Sequence, residues 1–561
     1  MRAARDIFRI AAWGLVALAA ATALAAWLAL SASADLSLGK ERLLAGDLTS
    51  ADAAFTRARQ WPGAAAAARA GHAVLAARAG RATGEVASLA DLDTLALEAL
   101  ILSSVEEGRA DEAGALADLA RRAGHPLGDL YAAAFAFERG DEAEARGLAA
   151  HSPVPLASRG LGSRLLRGLE AREGGARRLL FDRNGVIGAV VGRDGGIEAD
   201  PAAAPLLTGI LERLPVLPAG DGARLSIDLG LSRAALEALG GLRGSIVLVE
   251  PRTGAVLAAV SDERTAAAEG AAAFMQRREP ASVAKVLTAA AALRAGLDVD
   301  AQIGGMTCTG VERYGGQPLW CAFPAGPLQG LDHALALSCN VAFASLGVRV
   351  GAERLLEEYR LWGFDAGEGA LLGAAGRVHS PPRTPRQLAD LSVGLELADV
   401  TPLHAALLAA TVANDGRLPE PRLITGSCGR LGLADEPLPL SPPRDVLGPA
   451  LARRLRRAME AVAGYGTGVG LAPPGFPVAM KTGTAAEPGR AYHVNYVGMG
   501  PLPEPVVAFG VRVTNERSSP AVTRAARDVT RRLLAALAER RPTLESAARR
   551  QRRLAGVEDA R

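Results

Sequence analysis

Two groups of apolar strands stand at opposite ends of the second half of this 561-residue chain, and their separation sets what it can fold into. Segments 245–249 and 255–260 are joined by Glu250-Pro251-Arg252-Thr253-Gly254, a hairpin pattern. Further on, 477–484, 492–499 and 506–514 read as three more strands, linked by Glu487-Pro488-Gly489-Arg490 and Pro501-Leu502-Pro503. The stretch between, 282–465, is mostly helical and loop-rich. A helical middle set between two groups of strands predicts one α+β domain, whose antiparallel five-stranded sheet draws on both ends and is flanked by helices. An amphipathic helix at about 521–540 is expected to cover that sheet.

The domain so defined spans 225–540, and 156–224, Pro-rich at 201–219, reads as a linker or pedestal. Residues 36–153 are Ala-rich and helical by pattern. Gly46-Asp47, Gly80-Arg81, Gly108-Arg109 and Gly140-Asp141 recur at intervals of 28 to 34 residues. That period resembles degenerate tetratricopeptide repeats, and a generic Ala-rich helical bundle accounts for it equally well. The tail, 541–561, is basic, and its Arg-rich part after Ser546 is expected to be solvated and mobile.

Residues 1–9 carry Arg2, Arg5 and Arg9 against Asp6, and 10–34 hold no charge. Such a run spans a bilayer. Its basic flank predicts a cytoplasmic N-terminus, a single transmembrane helix, and the remaining chain on the outer face of the cell (inner) membrane, periplasmic or extracytoplasmic. Ala32-Ser33-Ala34 leaves a cleaved signal peptide as the alternative. Either way the body is exported. Cys308 and Cys321 then make a candidate disulfide, with two unpaired thiols as the other reading, while Cys339 and Cys428 are expected to be unpaired.

Hydrophobic content of 49% and charged content of 22% describe a folded chain. A net charge of +3 gives no basic field, so no nucleic-acid partner is expected. No His/Cys spacing suggests a metal, and no cofactor is expected.

Of 63 basic residues only three are lysines, Lys40, Lys285 and Lys481. Lys285 follows Ser282 at helical spacing, behind Pro280 at a predicted helix N-terminus where free N–H groups can hold an oxyanion. A serine hydroxyl is a weak nucleophile until a base takes its proton, and arginine cannot be that base. Ser338-Cys339-Asn340 follows a further apolar helical run, offering a hydroxyl for proton relay and an amide for a substrate backbone. Lys481-Thr482-Gly483-Thr484 ends a predicted strand, where a cation can meet a carboxylate and an extended peptide can add to the edge.

Together and in this order, the three resemble the Ser-x-x-Lys, Ser-x-Asn and Lys-Thr-Gly set of the penicillin-recognising serine acyl transferases. Glu250–Ala258, Thr401-Pro402-Leu403, Ala413-Asn414-Asp415-Gly416 and Gly466-Thr467-Gly468 also resemble the transpeptidase domain of class B-like penicillin-binding proteins. Ala281, Ala284 and His404 depart from the glycine, aromatic residue and glutamine usual there. The glycosyltransferase module of bifunctional members has no counterpart.

The resemblance implies a peptidoglycan D,D-transpeptidase. Ser282 would be the nucleophile toward a D-Ala-D-Ala stem peptide and Lys285 its base. Ser338 and Lys481 would complete the proton path, and Asn340, Thr482, Gly483 and Thr484 would bind the substrate. It also implies β-lactams as trapped ligands and a glycan-polymerising glycosyltransferase as partner, with a further partner for the helical module. A D,D-carboxypeptidase, a serine β-lactamase and a non-catalytic β-lactam sensor or scaffold are the alternatives.

Overall fold

The computed structural model describes residues 34–39, 48–61, 109–156, 160–486, 492–515, 519–554 and 556, with isolated positions between 68 and 105. The expected anchor lies outside them apart from Ala34, as do 1–9 and Lys40. Among the described residues no helix is long and apolar enough to cross a membrane.

Two units divide the chain. The first runs to Leu179 and includes 220–222 and 428–436. After a helix at Leu48–Ala58, its described helices include α1 (Ala110–Arg122), α2 (Gly128–Arg139), α3 (Glu142–His151) and α4 (Gly160–Glu173). α2 is buried along most of its length, Leu130, Tyr131 and Phe135 among its small alanines. Gly140, at φ 92°, ends α2 in the left-handed conformation, and the Asp141 side chain accepts the N–H of Glu144 to begin α3. The recurring Gly-Asp pair is therefore, at this position, a stop-and-start signal between helices. Gly46-Asp47 and Gly80-Arg81 lie outside the described residues, as does Gly108. The region read as a connector from 156 opens instead with α4, which groups with this helical unit.

The second unit holds the remaining residues. Ile187–Val191 and Ile197–Ala199 pair antiparallel, with Ala189 opposite Ala199. Next comes the central sheet, built from β1 (Gly244–Val249), β2 (Val256–Ser261), β3 (Ala479–Ala486), β4 (Tyr492–Gly500) and β5 (Val507–Asn515). Its order is β3-β4-β5-β1-β2, antiparallel throughout. β5 lies beside β1, Gly510 opposite Val247, and this pairing closes the two ends of the domain into one sheet as the strand pattern predicts. Between them run α5 (Lys285–Arg294), α6 (Asn340–Val350) and α7 (Pro402–Ala413), the last buried at every residue. α8 (Ser519–Glu539) packs its Val522, Ala526, Val529 and Leu533 side into the same core as the sheet.

The basic tail differs from expectation. Arg541–Leu554 form α9, with Leu544 and Ala548 buried at helical spacing and Arg552 only 6% exposed. The Arg552 guanidinium donates twice to Glu250 Oε1, at 3.1 and 2.8 Å, and the buried Glu250 also accepts from Thr253 N and Oγ1. The density of arginines hid the apolar positions Leu544 and Ala548. Removing one partner strands a buried charge, so Arg552→Met should cost roughly 3–5 kcal/mol in chemical denaturation.

Candidate active site

The turn before α5 carries the first pair of residues. Ala281 holds φ +51°, and Ala281–Ala284 form a 3₁₀ turn that runs directly into α5 at Lys285. An alanine in this region costs roughly 1–2 kcal/mol relative to ordinary backbone, which gives a physical reason for the glycine usual at this place. The surroundings hold the turn: Ala281 N donates to Gly394 O, and from below Asn495 Nδ2 donates to Glu279 O and Pro280 O. Arg512, opposite Asn495 on the next strand, donates to Asn495 Oδ1, Gln276 O and Val400 O. Neither Asn495 nor Arg512 was singled out from sequence, although Asn495 is one of only five asparagines.

Lys285 is fully buried. Its Nζ donates to Ser338 O at 2.5 Å, to Asn340 Oδ1 at 2.6 Å and to Ser338 Oγ at 3.2 Å. Lys481, also fully buried, donates to the same Ser338 Oγ at 2.9 Å and to Thr482 O at 2.8 Å. One hydroxyl thus stands between two amines. Ser338 itself has φ +55°, a strained conformation of the kind that accumulates at functional positions.

Burial pulls the Lys285 ammonium down to about 7, against a smaller opposing influence from the nearby cysteines. Burial also holds Lys481 well below the usual lysine range, and the charge of Lys285 adds to it. Two ammonium groups sharing one oxygen in a dry pocket oppose each other, so the pair readily gives up a proton.

Lys481 to Thr484 lie on β3, whose outer edge is unpaired in the sheet order. Lys481 and Gly483 face inward, Thr482 is half-buried and Thr484 is exposed. A Cβ at Gly483 would stand 2.9 Å from Pro280 O and 3.2 Å from Ser282 N, so only glycine lets this strand pass against the nucleophile turn. Thr482 Oγ1 pairs with Thr467 Oγ1 at 2.7 Å, which brings in a residue to which sequence reading gave no role. The half-buried Ser282 therefore faces β3 on one side, and Lys285 follows it one helical turn on.

The departure at His404 is structural. His404 is buried, its Nδ1 accepting Gly376 N and its Nε2 donating to Trp362 O, and burial holds it down to about 4, so it is neutral. Cys308 and Cys321 are free thiols in the structure, not a disulfide, with sulfurs 3.6 Å apart. Cys339, expected to stand alone, has its Sγ 3.9 Å from that of Cys321. The fold supplies this third neighbour from a turn that chain spacing does not relate to the other two. All three sulfurs lie within 4.8 Å of one another, a grouping no His/Cys spacing announced.

Residues 244–535 match the family model described as the penicillin binding protein transpeptidase domain. The chain belongs to that family. The peptidoglycan D,D-transpeptidase PbpA of Mycolicibacterium smegmatis is 31% identical over 338 residues, covering 53% of this chain and 68% of that protein. PbpA of Mycobacterium tuberculosis is 30% identical over 355 residues, with the same coverage. Among solved structures, penicillin-binding protein A from M. tuberculosis as a ceftriaxone acyl-enzyme complex matches with a TM-score of 0.55 at 24% identity, covering 64% of this chain and 98% of that one. At that identity the likeness is one of fold. Ser282, Lys285, Ser338, Asn340 and Lys481 all fall inside the matched transpeptidase domain.

Proposed function

We propose that this chain is a serine-type peptidoglycan D,D-transpeptidase acting through Ser282. The observation that carries the reading is the hydroxyl of Ser338 held between Lys285 and Lys481, beside the turn that bears Ser282. Neutral Lys285 takes the Ser282 proton as Oγ attacks the carbonyl of the penultimate D-alanine. The N–H groups of Ser282 and Thr484 stabilise the oxyanion, a donor of this kind being worth roughly 3–4 kcal/mol. Ser338 passes the proton to the departing D-alanine amine, and Lys481 supports that transfer. A neighbouring stem's amine then resolves the ester as a cross-link. Asn340 and the edge of β3 receive the peptide, and Thr482 and Thr484 its carboxylate, whose negative charge favours the protonated form of Lys481.

β-Lactams would acylate the same serine, in line with the acyl-enzyme described for the M. tuberculosis protein. The uncharged segment 10–34 supports a single-pass anchor, with the catalytic domain on the outer face of the membrane. A membrane-bound glycosyltransferase would supply the glycan strands, and the helical unit offers a surface for a further partner.

Purified protein with stem-peptide substrate tests the reaction class. A cross-linked dimer accompanied by D-alanine is expected, and D-alanine without dimer would replace transpeptidase by carboxypeptidase. The pH dependence follows from Lys285. Because only its neutral form is the base, acylation should rise as pH climbs through about 7 and level off above it. A rate-against-pH series with a chromogenic β-lactam reads this limb.

A further inference from the structure

Three cysteines meet beside the turn that carries Ser338 and Asn340. Cys308 comes from a two-residue ladder in which it faces Gly326. Cys321 follows the strand Gln317–Trp320, its N–H bonded to Gly310 O. Cys339 caps α6, its Sγ accepting Ala342 N. Cys308 and Cys339 are buried; Cys321, between them, is the one of the three with partial exposure. Its sulfur lies 3.6 Å from Cys308 and 3.9 Å from Cys339.

The loop of Cys321 also holds the site. Asn340 N donates to Cys321 Sγ at 3.2 Å, Asn340 Nδ2 donates to Trp320 O at 2.6 Å, and Asn340 Oδ1 receives Lys285 Nζ. The bonding state of Cys321 is thus one residue removed from the proposed base.

We infer that Cys321 is a shared disulfide partner, bonded to Cys308 in one form and to Cys339 in the other, which makes the Ser338-Cys339-Asn340 turn a site of reversible thiol modification. The structure represents the reduced cluster. Entry into either disulfide transfers two electrons and two protons from two of these thiols to a low-molecular-weight or protein disulfide, which departs as two thiols. Interconversion needs no oxidant. The Cys339 thiolate attacks Cys321 Sγ, the Cys308–Cys321 bond breaks, and Cys308 leaves as a thiolate that takes up the proton Cys339 released. In the reduced cluster the hydrogen bond with Cys339 holds the Cys321 thiol below its ordinary range and Cys339 above its own, so charge gathers on the more open sulfur. Closing the 3.9 Å gap to a bond of about 2 Å draws the Trp320 loop against the turn that positions Asn340. This rests on the reading of that turn as part of the catalytic site, where a displacement of ~1 Å can cost on the order of a hundredfold.

The test uses the full chain equilibrated in glutathione redox buffers, quenched in acid, alkylated and mapped by peptide mass spectrometry. Both Cys308–Cys321 and Cys321–Cys339 peptides are expected in the wild type. Cys308→Ser should retain the second and Cys339→Ser the first. Fluorescent-penicillin labelling rates of these two oxidised variants should differ on the order of tenfold and converge after a phosphine reductant. Detection of Cys308–Cys321 alone at every redox ratio would overturn the inference, as would both thiols of oxidised Cys308→Ser remaining alkylatable, or stoichiometric zinc held by the reduced cluster. Pairing is read from peptides and does not depend on acylation. A chain that shows both disulfides but never labels would therefore count against the catalytic reading and not against the exchange.

Discussion

Replacing Lys285 by arginine is expected to abolish acylation of Ser282, lowering the labelling rate with a fluorescent penicillin by at least about 10³-fold although the formal charge is kept. A guanidinium stays protonated throughout the accessible pH range, so it cannot accept the serine proton. The pocket adds a second obstacle. The amine is fully buried and its Nζ is fixed by Ser338 O and Asn340 Oδ1, a geometry suited to a compact donor and too small for a planar fork. A thermal melt of the variant separates loss of the base from loss of the fold, and rates measured up to pH 10 should show no recovery. Recovery at high pH would mean that a group other than Lys285 deprotonates Ser282.

Ser338→Ala carries the next largest effect. It removes the hydroxyl that both lysines contact and leaves the Ser338 carbonyl and Asn340 bonds to Lys285 in place. Acylation should fall by about 10²-fold or more, the range of a positioned proton-transfer group. Non-covalent affinity for the β-lactam should change little, because the hydroxyl acts on the proton's path and not on the ligand's carboxylate. Stopped-flow acylation at varied β-lactam concentration separates the two constants. A variant that loses affinity while keeping its limiting rate would place Ser338 in binding instead.

The parts of this fold that could be read from sequence are those that local pattern specifies. Apolar runs bounded by Gly and Pro gave the five central strands to within about two residues at each end, because burial and turn chemistry act on the same positions. The lysine count worked for a related reason. Against a background of arginine, Lys285 and Lys481 mark two places where a removable proton or a compact cation is needed, and the fold brings both to one oxygen.

What stayed hidden depends on contacts between distant segments. The short ladder joining Cys308 to Gly326 has too few residues to show a period, and the approach of Cys339 to Cys321 exists only once α6 has packed. The Asn495–Arg512 brace beneath Pro280 arises from strand register across β4 and β5, which no single segment encodes. At α9, composition misled: four arginines within five residues drew attention from Leu544 and Ala548, apolar residues that dock the helix beside the buried Arg552.

Intact-protein mass spectrometry after incubation with benzylpenicillin tests the central claim most directly. The wild type should gain the mass of one penicillin, located on the peptide containing Ser282, and Ser282→Ala, folded by thermal melt, should gain none. An adduct that persists in Ser282→Ala, or a wild type that takes up no penicillin at all, would contradict the account.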